Sequence, residues 1–139
     1  MLKKINHIGV VVEDLERALE SYSKGLGVMV EKIVEIADVE LKVGIINVGD
    51  VQIELLEYNN PELPIVRALL GDRTGFNHIC YEVEDFDGAI RQLRQNGFEV
   101  VEGFPRKGVH GTIAFLVPPH SSAERIEILI REGAYHESK

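Results

Sequence analysis

The sequence has one cysteine, Cys80, and no tryptophan in 139 residues. A lone thiol forms no intrachain disulfide and cannot build a zinc–thiolate cluster, so neither kind of staple is available. Basic side chains are few: 15 Lys and Arg stand against 23 Asp and Glu, a net charge of −8. That field argues against a nucleic-acid surface, because phosphate binding wants a concentrated basic face. A polyanionic substrate would then need a local basic patch, and Arg106-Lys107 is the one adjacent basic pair besides Lys3-Lys4. No apolar run approaches the roughly 20 residues of a spanning helix. The opening Met1–His7 lacks a signal-peptide core. The expectation is a protein of the reducing cytoplasm, with neither a membrane nor a nucleic acid as partner.

What the sequence does have is a stretch that occurs twice. Asn6-His7-Ile8 and Val12-Glu13-Asp14 recur as Asn77-His78-Ile79 and Val83-Glu84-Asp85, an offset of 71 residues (78 minus 7). Each copy runs into a helix-like segment, Leu15 to Gly27 and Phe86 to Gly97. Later in each half an apolar strand carries a glutamate, Glu54 within Gln52–Leu56 and Glu127 within Arg125–Leu129. The His-to-Glu separations are 47 (54 minus 7) and 49 (127 minus 78).

The elements follow from local pattern. Lys4–Val12 reads as a strand, and Asp14 caps a helix in which Leu15, Leu19, Tyr22 and Leu26 recur at helical spacing before a glycine stop. Val28–Ile36, Leu41–Val48 and Val51–Glu57 read as strands, the last two joined at the Gly49-Asp50 turn. Residues 59–75 form a linker with a short helix over about Ile65–Leu70. The second half repeats the order, with strands Phe76–Val83, Phe98–Glu102, Thr112–Val117 and Arg125–Ile130, and a helix capped by Asp85. The tail after Gly133 is expected to fray. The fold class is α+β: two tandem βαβββ modules, about 1–58 and 76–132, in one domain of 139 residues. Their eight strands are expected to form a curved mixed sheet around a metal site.

Alone, either glutamate reads as a residue of a wet sheet face, and either histidine as a half-exposed strand residue. Strand alternation sets Glu54 with Gln52 and Leu56, and Glu127 with Arg125 and Leu129. A carboxylate centred in an apolar strand is costly to bury unless it is paired or ligated. Repetition of both residue types at matched places points instead to one site of His7, Glu54, His78 and Glu127. Two imidazoles and two carboxylates suit Co2+, Ni2+, Mn2+ or Zn2+ and, with no thiolate, are a poor set for soft metals. Four protein ligands on an octahedral ion leave two positions for a chelating substrate. Cys80 reads as a small core hydrophobe, His120 and His136 as surface residues. His110 lies in a Gly-flanked loop, where substrate contact and solvation are equally open. Arg106 and Lys107 read first as solvated loop residues.

This His…Glu/His…Glu layout on paired βαβββ units resembles the vicinal oxygen chelate superfamily, which includes glyoxalase I, extradiol dioxygenases and fosfomycin resistance proteins. Within it the resemblance is to the methylmalonyl-CoA epimerases, over nearly the whole chain. It rests on Asn6-His7-Ile8-Gly9-Val10, Glu54-Leu55-Leu56-Glu57, the Pro61-to-Leu70 segment, His78-Ile79 and Ala114-Phe115-Leu116. The most specific stretch is Pro105-Arg106-Lys107-Gly108-Val109-His110-Gly111. The resemblance implies a divalent ion (Co2+, Mn2+, Ni2+ or Zn2+) on His7, Glu54, His78 and Glu127. It implies an acyl-CoA or other small-molecule substrate, and interconversion of (2R)- and (2S)-methylmalonyl-CoA by α-proton abstraction through a metal-stabilised enolate. Glu127 is then the base and Glu54 its partner, in a chain that forms a homodimer. Some members carry a further catalytic glutamate on the strand matching Leu41–Val48, where Lys42 is here the only ionisable residue. The alternatives are a glyoxalase I-like isomerase acting on a glutathione thiohemiacetal, and a non-catalytic protein that sequesters a drug or metabolite.

Overall fold

The computed structural model describes residues 1–70 and 74–131. Nine strands and three α-helices follow one another as β1 (Leu2–Val11), α1 (Leu15–Leu26), β2 (Val30–Ile36), β3 (Leu41–Val48), β4 (Val51–Tyr58), α2 (Pro64–Leu70), β5 (Gly75–Val83), α3 (Phe86–Gln95), β6 (Glu99–Val100), β7 (Arg106–Lys107), β8 (Gly111–Val117) and β9 (Arg125–Arg131). A single 3-10 turn, Ala37–Val39, joins β2 to β3. All strands belong to one mixed sheet of order β2-β3-β4-β1-β5-β9-β8-β6, with β7 paired to β8.

The order is a palindrome of two like halves. Each half pairs its first strand in parallel with its last, β1 with β4 and β5 with β9. The halves join where β1 and β5 run antiparallel. The sheet is curved and open, and across the curve Asp38, beyond β2, forms an ion pair with Arg106 of β7. Eight strands were expected and nine are found. The strand expected at Phe98–Glu102 keeps ladder pairs only at Glu99 and Val100, and Arg106-Lys107, taken for loop, pairs with Thr112 and Ile113.

Helix starts match the capping chemistry. Asp14 accepts from the Arg17 amide at 3.1 Å and Asp85 from the Gly88 amide at 3.0 Å. Gly27 ends α1 at φ 66°, a left-handed conformation that glycine adopts without a Cβ penalty. Helices α1 and α3 cover the convex side. Leu15 of α1, with Leu19 and Tyr22 beside it, packs on Ile46 and Leu55, while Phe86 and Ala89 of α3 pack on Leu116, Ile128 and Ile130. With Leu55 and Ile128 turned toward helices, alternation turns Glu54, Leu56, Glu127 and Leu129 into the concave side. Val66 and Leu69 of α2 join the apolar clusters of the two halves at one end of that cup. Residues after Gly133, expected to fray, lie outside the described residues, as does His136.

Candidate metal centre

The structure brings the four sequence-derived residues together at the middle of the cup, each buried: His7 3%, Glu54 5%, His78 2% and Glu127 4% exposed. Strand register places them. His7 lies opposite Gln52 and Gly9 opposite Glu54 across β1·β4; His78 lies opposite Arg125 and Cys80 opposite Glu127 across β5·β9. In each half the glutamate therefore sits beside the residue two places after the histidine, on the histidine's own face. The wet-face alternative for the glutamates does not hold.

Two β-bulges complete the arrangement. In the β1·β5 ladder the pairing passes from Ile5↔Tyr81 to His7↔Cys80, leaving Asn6 as an extra residue in β1. It then passes from Gly9↔His78 to Val10↔Phe76, leaving Asn77 as the extra residue in β5. Strict alternation points an asparagine away from the histidine that follows it; a bulge re-aims it. Asn6 Oδ1 lies 2.7 Å from His7 Nδ1, and Asn77 Oδ1 lies 2.8 Å from His78 Nδ1. Each carboxamide is fixed from behind, Asn6 Nδ2 donating to Glu82 at 2.9 Å and Asn77 Nδ2 to the Leu69 carbonyl at 2.9 Å. Their Oδ1 atoms can only accept, so each Nδ1 carries the proton and each neutral imidazole turns the lone pair of its Nε2 inward.

Those lone pairs converge. His7 Nε2 and His78 Nε2 are 3.2 Å apart, and each is 3.0 Å from Glu127 Oε1. Glu127 Oε1 is buried and, with both imidazoles protonated only at Nδ1, has no hydrogen-bond donor facing it. Three acceptor atoms in mutual contact, away from water, repel one another unless a cation stands among them. Bonds of about 2.1 Å at right angles give edges of about 3.0 Å, so the triangle fits one face of an octahedral divalent ion. Glu54 Oε2, from the same half as His7, lies 3.4 Å from His7 Nδ1 and meets His110 Nε2 of the other half at 3.2 Å. His7, Glu54 and His110 offer donor atoms within 4.8 Å of one another, as do His7, Cys80 and Glu127. The residues fit a divalent metal ion.

Without an ion, a proton serves in its place. Burial disfavours the charged imidazole of His7, but the adjacent Glu127, by charge and hydrogen bond, and then Glu54 raise its pKa above 6.5. Burial likewise opposes the charged form of Glu127, and the charge and hydrogen bonds of His7 and His78 outweigh it, holding its carboxyl well below the usual range. Burial, then the charges of Glu127 and Glu54, pushes the Tyr58 phenol and the Cys80 thiol up, so both stay protonated at neutral pH.

Sequence reasoning passed over several neighbours. Asn6 and Asn77 stood in the repeat, but alternation assigned them no role. Gly9 is required sterically: a Cβ there would lie 2.1 Å from His78 Cε1. His110 lines the cup and touches Glu54, and Arg106 lines it while paired with Asp38. Cys80 is wholly buried beside the site. His120 is exposed and pairs with Glu124 at 3.0 Å. The cup itself, about 680 Å³ including its open mouth, has walls of Ile36, Val39, Leu41, Val43, Phe104 and Val109 above the polar floor. Apolar walls above a few convergent polar groups are the character of a small-molecule site.

The family model described as glyoxalase/bleomycin resistance protein/dioxygenase superfamily matches residues 6–115. An ethylmalonyl-CoA/methylmalonyl-CoA epimerase of Cereibacter sphaeroides is 34% identical, over 92% of this chain and 98% of its own length. The mitochondrial methylmalonyl-CoA epimerase of Homo sapiens is 29% identical, over 91% of this chain and 73% of its own. The fold is that of a Streptomyces coelicolor methylmalonyl-CoA epimerase in complex with 2-nitronate-propionyl-CoA, with TM-score 0.79, 23% identity, 96% of this chain and 98% of that one covered. With the paired modules, the His and Glu of each half and a matching model over most of its length, this chain belongs to the glyoxalase/bleomycin resistance protein/dioxygenase superfamily.

Proposed function

We propose that the protein is a metal-dependent epimerase of methylmalonyl-CoA, inverting C2 by removing a proton on one face and returning one on the other. The observation that carries this reading is the buried set of His7, His78 and Glu127, lone pairs converging, with Glu54 beside it on the floor of an apolar-walled cup. Relatives named for this activity, at 29 to 34% identity along nearly the whole chain, support the substrate. A divalent ion on His7, Glu54, His78 and Glu127, for which Co2+, Mn2+, Ni2+ and Zn2+ are the candidates, supplies a Lewis acid toward the substrate's oxygens. The chain's residues do the rest. Asn6 and Asn77 fix the tautomers of the two imidazoles. Glu127 and Glu54 come from strands on opposite sides of the pseudo-twofold axis, which gives an acceptor for the α-proton on one face and a donor on the other. Each carboxyl takes the opposite part when the reaction runs backward. Tyr58, kept protonated, offers a hydroxyl donor in the wall. The apolar wall keeps water from the carbanionic centre.

The experiment is proton NMR of (2S)-methylmalonyl-CoA in deuterated water with metal-loaded protein. Loss of the C2 proton signal together with formation of the (2R) isomer is expected. No exchange with any of the four ions overturns the reading, and retention of the ligand without turnover indicates a sequestering protein instead. For assembly we infer a homodimer, supported by Met29 at 84% exposure just before β2 and Ile33 at 56% on that edge strand; sedimentation velocity reads it directly. A reducing cytoplasm accords with the one free, buried cysteine.

A further inference from the structure

Cys80 stands where the two halves differ most at the floor of the cup. Its counterpart 71 residues earlier is Gly9, which has no side chain. Register sets Cys80 against His7 on one side, across β1·β5, and against Glu127 on the other, across β5·β9. It is two residues from His78 in the same strand and so shares that histidine's face. The side chain is fully buried, yet among the described residues it belongs to none of the apolar core clusters. Its neighbours are polar: donor atoms of His7, Cys80 and Glu127 all lie within 4.8 Å of one another. Glu127 Oε1, buried and unpartnered, points to a cation at this place independently of the thiol. Metal–sulfur bonds of about 2.3 Å and metal–nitrogen bonds of about 2.1 Å span up to about 4.4 Å between ligand atoms on one ion. A small side-chain adjustment therefore brings the sulfur into the set.

We propose that Cys80 is a sulfur donor of this centre, taken up by thiophilic divalent ions such as Cd2+ or Zn2+ and left out by harder ones such as Mn2+. The inference rests on the metal-centre reading above and adds a fifth, soft donor to its four hard-to-borderline ones. On ligation the S–H bond is replaced by a sulfur–metal bond and the proton leaves to solvent, with no change of oxidation state. The site then has two ligand sets on one scaffold, and the ion that fills it selects between them.

The test is parallel titration of the metal-free full chain with Cd2+ and with Mn2+, in the wild type and in Cys80→Ala. Expected in the wild type is a sulfur-to-cadmium charge-transfer absorption in the ultraviolet that saturates at one Cd2+ per chain and does not form with Mn2+. Cys80→Ala is expected to lack the band and to bind Cd2+ about 10- to 100-fold more weakly. Its Mn2+ affinity, kept within a few-fold, shows that the variant is folded. A wild type that binds Mn2+ and Cd2+ without the absorption overturns the sulfur donor and leaves the four-ligand centre standing. A wild type that binds neither ion overturns both.

Discussion

The two halves of the molecule are alike in layout and unlike in what surrounds the layout. In the first, Asn6 hands its hydrogen bond on to Glu82, which is held in turn by Arg131 at 3.2 Å near the surface; Glu54 faces His110. In the second, Asn77 is tied to a backbone carbonyl of α2, and Glu127 lies against both imidazoles with Cys80 beside it. At the matched position one half has Gly9, which makes room for the ring of His78, and the other has Cys80. Duplication thus supplies one buried histidine and one buried glutamate per half, while residues that are not duplicated give the two pairs different neighbours.

The sharpest way to break the comparison is at the glutamates. Glu127→Gln is expected to lower C2 proton exchange by about 10²- to 10⁴-fold and to weaken metal binding. Glu54→Gln is expected to cost comparable activity with the smaller loss of metal affinity, because Glu54 meets only one of the two imidazoles. Isothermal titration beside the NMR exchange rate separates the two effects. Equal metal affinities in the two variants would erase the distinction between the halves.

Next in size is the Gly9/Cys80 position. Gly9→Ala drives a Cβ into His78 and is expected to cost about 1–3 kcal/mol in urea unfolding, with metal affinity lost as the ring is displaced. Cys80→Ala only removes a sulfur and is expected to cost about 1 kcal/mol. A Gly9→Ala variant that binds Mn2+ normally would show that the ring of His78 has freedom the packing denies it.

A smaller effect is expected behind the histidines. Asn6→Leu and Asn77→Leu should each reduce metal affinity about 10- to 100-fold by freeing the imidazole tautomer. Both should destabilise the fold, Asn6→Leu the more, by about 1–3 kcal/mol, since it strips a hydrogen bond from the buried carboxylate of Glu82 rather than from the Leu69 carbonyl. Equal thermal shifts in the two variants would contradict that difference.

The least effect is expected from pH alone. In metal-free protein His7 has a raised pKa, so its contribution to stability is fully present below the ordinary value of 6.5 and is lost as pH rises through the folded value. Metal binding should run the opposite way, strengthening with pH as the competing proton leaves. Thermal melts with and without Mn2+ read both slopes, and slopes of the same sign would be inconsistent with proton and ion sharing one place.

Much of this was legible in the sequence because repetition is a signal that a single strand cannot give. His7 and His78, Glu54 and Glu127 were found by their matched spacing, and the capped helices by Asp14 and Asp85. What was not legible depends on departures from ideal period. Asn6 and Asn77 gain their role from bulges, and a bulge does not show in an alternating pattern. The β7 pair at Arg106-Lys107 is two residues long, too short for periodicity. His110 and Arg106 meet partners 56 and 68 residues away across the cup, contacts that only the curvature of the sheet creates. Cys80 read as core because a buried thiol and a ligating thiol are the same residue until the neighbours are known.

One claim underlies all of these: the two halves build a single metal centre, one imidazole from each. Metal content per chain, measured by mass spectrometry after reconstitution with cobalt, tests it in the wild type, His7→Ala and His78→Ala, with circular dichroism to confirm folding. One ion per chain in the wild type and none retained by either variant is the expected result. Full occupancy in both variants, or two ions per wild-type chain, would contradict it.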